Sequence, residues 1–333
     1  MARPRNPHRH RPRWRTLVLT AATVGVVSAL AASRTTRRWA RAGDPTGGDP
    51  LGLPDGERLT VTTADGAELS TLVAGPDEGP VVVLSHCWTG DSRIWAPVAR
   101  RLVDQGCRVV LYDQRGHGRS TIGSDGLTIE ALGSDLHSVL ETLDLHDVVL
   151  AGHSMGGMAV QSFAINHASA CRQRVIGIVF VATAAGGLRL GGPSDRLGSA
   201  AVSSPRVARL MSDPRLGPRI VRSGVGRHPA RSHLDATLET FLGTPPEVRA
   251  GFLRSILAMD WYPRLAEVDV PAVVMVGTWD RLTMPRLGRR LAEGLPDAEL
   301  VVIPGAGHML PFEEPDLVAE RIASLLPVTS SPR

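Results

Sequence analysis

Six stretches of the chain are continuously apolar: PVVVLSH (80–86), RVVLYD (108–113), VVLAG (148–152), VIGIVFVAT (175–183), AVVMVG (272–277) and ELVVI (299–303). A strand with one wet face would alternate, so unbroken runs predict strands buried on both faces. Between them lie segments with helical spacing of apolar positions: WAPVARRLVDQG (95–106), IEALGSDLHSVLETLDL (129–145), GGMAVQSFAINHA (156–168), PRLGRRLAEGL (285–295) and PDLVAERIASLL (315–326). Ahead of both, LTVTTADGAELSTLVAG (59–75) alternates around Asp65-Gly66, which signals a hairpin. The pattern predicts an α/β fold built on a doubly wound, mostly parallel, eight-stranded sheet. In such sheets functional groups gather beyond the carboxyl ends of the strands.

One interval breaks this rhythm. Roughly 85 residues separate the run ending at Thr183 from the one starting at Ala272, far more than an ordinary connection. It contains AAGGLRLGGPSD, then helix-like pieces such as LDATLETFL and VRAGFLRSILAMD. We read 184–262 as a helical cap inserted into a core made of 59–183 and 263–327. Upstream, 42–58 is rich in Gly, Pro and Asp and reads as a linker.

The first 41 residues change the picture of charge. All 37 basic residues of the chain are arginines, and ten of them precede the first acid, Asp44, so a formal charge of +4 leaves about −6 for the rest. The body has no basic stripe of the kind nucleic acid requires, and no nucleic-acid partner is expected. Within this basic segment, LVLTAATVGVVSALAAS (17–33) is uncharged and close to the ~17–25 residues of a spanning helix. It predicts a single membrane anchor on an N-terminal hydrophobic helix, with the catalytic body outside the cytoplasm. The alternative is a cleaved export signal, because Ala29-Leu30-Ala31 has the small-x-small form of a cleavage site. Cys87, Cys107 and Cys171 are too few for a disulfide framework, and no two have zinc-site spacing.

The run VVLAG continues as Gly152-His153-Ser154-Met155-Gly156 and then as an apolar helix. G-x-S-x-G between a strand and a helix describes a sharp turn that holds a serine in strained geometry, where neighbouring side chains must be small. A serine hydroxyl needs a base, and the base needs a carboxylate. Asp280 follows the strand 272–277 and His308 follows 299–303, in the order Ser, Asp, His that accompanies this turn. Asp113, which precedes the serine, is assigned to turn structure.

With these segments the chain resembles the α/β-hydrolase fold superfamily, in its esterase, lipase and haloperoxidase-like branch, over about residues 59–327. DQRGHGRS (113–120) is similar to the family's turn after the fourth strand, and SHCWTGDSRIW (85–95) sits where the family has its oxyanion loop. The resemblance implies a catalytic Ser154, Asp280 and His308, with an oxyanion hole formed by the backbone N–H groups of Met155 and Trp88. His86 would anchor the loop. Cys87 stands where the family usually has Gly, and a side chain there could crowd the loop and displace Trp88. Serine rather than aspartate at 154 disfavours dehalogenase and epoxide hydrolase chemistry and implies an acyl-enzyme.

The expected activity is hydrolysis of carboxylic esters, of small molecules or lipids, with no cofactor, no metal and no obligate protein partner. The alternatives are the same triad used for perhydrolysis, or for thioester, amide or C–C bond cleavage, and a membrane-anchored binding protein without turnover. Substrate identity rests with the cap and is not legible in its sequence.

Overall fold

A computed structural model describes residues 51–188, 204–222, 224–227 and 230–327. The apolar run 17–33, where the anchor or signal is expected, lies outside them. Among the described residues no helix is long and apolar enough to cross a membrane.

The sheet has eight strands: β1 (Gly56–Thr62), β2 (Glu68–Ala74), β3 (Val81–Ser85), β4 (Arg108–Tyr112), β5 (Val148–His153), β6 (Val175–Val181), β7 (Ala272–Gly277) and β8 (Ala298–Ile303). Their order is β1-β2-β4-β3-β5-β6-β7-β8. β2 pairs antiparallel with both β1 and β4, and every other pairing is parallel. β1 begins at Gly56, three residues inside the stretch expected to be linker, so the core starts earlier than residue 59. As an edge strand with mostly exposed positions, β1 lacks the apolar signature that marks its neighbours.

Because successive strand residues point to opposite faces, each apolar run feeds two cores. Val83, Val110, Leu150, Phe180 and Val274 pack on one side with Leu136, Val139 and Phe163 from helices Ile129–Thr142 and Met155–Asn166. Their neighbours Val82, Val109, Val149, Val179 and Val273 pack on the other with Val98, Leu102, Val318 and Ile322 from helices Ala96–Asp104 and Pro315–Ala323. Thr128 caps the helix Ile129–Thr142, its side chain accepting from Ala131 N at 3.1 Å.

The described part of the insertion contains four helices, Pro205–Met211, Gly217–Arg222, Arg231–Gly243 and Pro246–Ala258. Its stem is closed by a bridge between Gly186 and Asp260 and by Trp261 N donating to Ala185 O at 2.7 Å. The chain runs outward from β3 to β4 and then returns past β3 to β5, which makes the β3/β5 junction the topological switch point.

A buried arginine ties the hairpin to this framework. Arg115, 1% exposed, engages Asp135 through Nε at 2.7 Å and Nη2 at 2.6 Å. Its other face reaches Asp65 at the β1–β2 turn at 2.8 and 3.1 Å. Burial alone would raise the Asp65 carboxyl, but Arg115 and the Thr63 and Asp125 hydrogen bonds hold it well below the usual range. Arg115→Ala would leave Asp135, fully buried, without its counter-charge. Removing one partner of such a pair costs about 3–5 kcal/mol. Urea denaturation followed by far-UV circular dichroism is expected to read a loss of that size.

Candidate active site

β5 ends at His153 and the helix Met155–Asn166 starts one residue later, so a single residue makes the turn. That residue is Ser154, at φ 54° and ψ −116°, a region that non-glycine residues occupy only under constraint. The constraint is visible. Ser154 N donates to Val181 O at 2.9 Å, and Thr183 Oγ1 donates to Ser154 O at 2.7 Å. The helix also runs almost in contact with the sheet: a Cβ on Gly156 would lie 2.1 Å from Ser85 O, and one on Gly152 would lie 2.5 Å from Gly156 O. Only glycine fits at either position, which is the physical content of the motif.

Asp280 follows β7 and is 3% exposed. Its Oδ1 accepts from Leu282 N at 2.8 Å and Thr283 N at 2.9 Å. Its Oδ2 lies 2.6 Å from Thr283 Oγ1 and accepts from His308 Nδ1 at 2.9 Å. Burial pushes this carboxyl up, but the His308 charge and these hydrogen bonds outweigh it, and the net shift is downward. Asp280 is therefore an anion at neutral pH. A neutral imidazole that donates from Nδ1 carries its lone pair on Nε2.

Ser154 and His308 line one cavity of about 560 Å³. Ser154 Oγ makes no hydrogen bond among the described residues. The structure thus joins Asp280 to His308, and it brings Ser154 to the same cavity without closing the bond from serine to imidazole.

The loop after β3 is anchored from below by two neutral histidines. His86 Nδ1 donates to Cys87 O at 2.8 Å, and its Nε2 accepts from Gln114 N at 2.8 Å. His117 Nε2 accepts from Thr89 N at 3.2 Å while its Nδ1 faces Arg115 O at 3.1 Å. Burial lowers both, His117 to about 3. The anchoring role expected for His86 agrees with these bonds. Cys87 does not crowd the loop. It is absent from the residues with positive φ, so the backbone there does not need glycine, and Gly90 leaves room for its sulfur. Burial pushes the thiol up to about 12, which keeps it protonated. The N–H groups of Trp88 and Met155 meet no acceptor among the described residues. The Trp88 indole donates to Arg249 O at 3.2 Å and stands edge-on to Phe241. Asp113 braces the neighbouring turn, accepting from Ser92 N at 2.9 Å and Arg119 N at 3.0 Å.

Three residues of this site were not anticipated from sequence. Thr283 lies within hydrogen-bond distance of both Asp280 Oδ2 and Ala182 O. His153, the x of G-x-S, donates from Nε2 to His308 O at 2.8 Å. Glu313 accepts from Gly307 N at 2.8 Å, Met309 N at 2.9 Å and, across to the insertion, Gly226 N at 2.8 Å. His308 N in turn donates to Gly224 O at 2.9 Å. An Asp followed three residues later by Thr just ahead of a proline-started helix was a usable signal for the first; nothing local marks the other two.

The cavity walls come from the loop after β3, the insertion (Met211, Val221, Phe241, Leu253 and others) and the Asp280 and His308 loops. They are largely apolar.

Comparison with known proteins bears on this arrangement. The chain is 26% identical over 258 residues to a 3-oxoadipate enol-lactonase of Acinetobacter baylyi, covering 78% of this chain and 92% of the relative. It is 28% identical over 255 residues to a non-heme chloroperoxidase of Kitasatospora aureofaciens, covering 74% and 90%. Among solved structures it is similar to a thermophilic esterase of Thermogutta terrifontis, with 27% identity, a TM-score of 0.66 and coverage of 80% and 97%. The model of the alpha/beta hydrolase family matches residues 81–321, from β3 to the last helix, and the chain belongs to that family.

Proposed function

We propose that this protein is a serine hydrolase that cleaves carboxylic esters through an acyl-enzyme on Ser154. The observation that carries the reading is the Asp280–His308 hydrogen bond facing the same cavity as a serine on a strained strand-to-helix turn. His308 Nε2 takes the proton of Ser154 as Oγ bonds to the ester carbonyl carbon, and Asp280 stabilises the imidazolium. The N–H groups of Met155 and Trp88 receive the oxyanion, each contributing about 2.7–4 kcal/mol, with the positive end of the helix Met155–Asn166 behind them. Collapse breaks the bond to the alcohol oxygen, which leaves with the proton from His308. Water then gives a proton to His308 and attacks the acyl carbon, and Ser154 departs with that proton restored. No cofactor or metal enters the scheme.

The insertion acts as the cap of this site and sets substrate choice. The segment 17–33 serves as a membrane anchor or an export signal, a reading supported by its length, its lack of charge and its flanking arginines. The similarity to a chloroperoxidase favours one second reading, perhydrolysis, in which hydrogen peroxide replaces water at the acyl carbon and releases a peracid. Peroxide-dependent halogenation exceeding p-nitrophenyl ester hydrolysis would move the assignment there.

A fluorophosphonate probe is expected to label the folded protein at Ser154, and Ser154→Ala is expected to lose labelling and at least about 10⁴-fold in kcat. Absence of labelling in folded parent protein would overturn the assignment.

Asp280→Asn is expected to retain the fold and lose about 10⁴-fold in kcat. Since the folded pKa of Asp280 is depressed, its stabilising contribution is complete above the unfolded value of about 3.9 and is lost as pH falls through the folded value. The stability gap between parent and Asp280→Asn, measured by urea titration, should accordingly narrow as pH drops below about 4.

A further inference from the structure

The cavity wall has an uneven distribution of charge. Among its described lining residues the charged side chain is Arg281, and there is no carboxylate. The Thr237 hydroxyl is committed to His233 O at 2.7 Å and that of Thr240 to Thr237 O at 3.1 Å. Asp280, adjacent in sequence, turns both oxygens away to the Leu282 and Thr283 amides, the Thr283 hydroxyl and His308. Arg281 itself makes no hydrogen bond or ion pair among the described residues. Exposed, it keeps all five N–H donors for a partner.

The insertion adds a second, independent asymmetry. Between 205 and 230 there are six arginines, Arg206, Arg209, Arg215, Arg219, Arg222 and Arg227, against one acid, Asp213, and the next arginine, Arg231, is paired with Asp235 at 2.8 Å. The two helices inside this stretch also supply Met211, Ile220 and Val221 to the wall. A cavity beside a segment with an excess of one sign of charge concentrates ligands of the other sign. Apolar walls of about 560 Å³ take a hydrocarbon chain, and a guanidinium takes a carboxylate in bidentate fashion.

Resting on the ester-hydrolase reading above, we propose that the substrate is an anionic amphiphile: an ester whose hydrocarbon part fills the cavity and whose carboxylate is held by Arg281. Arg281 is then a specificity-determining residue, and the arginines of the insertion supply the approaching anion with a favourable field.

The test uses matched pairs of esters on the full chain. One pair places the charge on the acyl side, 4-nitrophenyl hemiesters of linear dicarboxylic acids against 4-nitrophenyl alkanoates of equal length. The other places it on the alcohol side, 4-acyloxybenzoates against 4-acyloxybenzamides. In at least one pair the anionic ester is expected to have a kcat/KM about tenfold or more above its neutral match, mostly through KM. Arg281→Gln is expected to abolish that preference and Arg281→Lys to restore part of it. Added salt should weaken it. Equal turnover of charged and neutral esters in both pairs, or a preference that survives Arg281→Gln, would overturn the proposal while leaving the hydrolase reading intact. Should no ester turn over, the hydrolase reading fails by itself. Calorimetry of the Ser154→Ala chain with monomethyl suberate against methyl octanoate then decides the ligand class: Arg281-dependent binding of the anion alone upholds it, and equal or absent binding rejects it.

Discussion

The close contact between the helix Met155–Asn166 and the end of β3 is the constraint on which the rest of the site depends. Gly156 lies so near Ser85 O that no side chain fits between them, and Gly152 closes the other side of the turn. This proximity forces the chain to reverse within one residue, and it places Ser154 in a backbone region that costs about 1–3 kcal/mol. The hydrogen bonds to Val181 O and from Thr183 Oγ1 hold that geometry from β6 and the loop that follows it. The helix also begins at the switch point of the sheet, so its unpaired N–H groups face the crevice where β3 and β5 part. Strain, positive helix end and open crevice therefore share one origin.

Around this turn the site is organised by saturating some polar groups and leaving others free. Asp280 spends its oxygens on four donors, which fixes its orientation and keeps it ionised in a buried place. His86 and His117 are each bonded through both ring nitrogens and held neutral, so they act as struts under the loop that carries Trp88. Ser154 Oγ and the N–H groups of Trp88 and Met155 have no such partners among the described residues. Groups left unpaired beside a cavity are those for which a ligand offers the missing bond.

Much of this was legible in the sequence because its causes are local. Strands buried on both faces show as unbroken apolar runs, and the glycines at 152 and 156 follow from a clash that any close-packed turn of this kind would produce. Asp280 and His308 could be placed because each follows within a few residues of a strand end. The first three residues of β1 escaped because an exposed edge strand keeps polar residues and begins amid Gly, Pro and Asp. The concern over Cys87 was resolved only by its backbone angle, which sequence does not specify. His153 and Glu313 act through contacts with the His308 loop, and Glu313 joins that loop to a segment more than eighty positions away in the chain. Convergence of this kind leaves no periodic trace. The walls of the cavity were hidden for the same reason.

The Glu313 carboxylate has a mechanical consequence. It grips Gly307 and Met309 on either side of the histidine and Gly226 in the insertion, while His308 N hangs from Gly224 O. Displacing Gly224–Gly226 would pull on the loop that carries the His308 ring. Traffic into and out of the cavity thus has to spare this seam and pass where the helices of the insertion are not stitched to the His308 loop, so that admission of a molecule and the placement of His308 stay separate events.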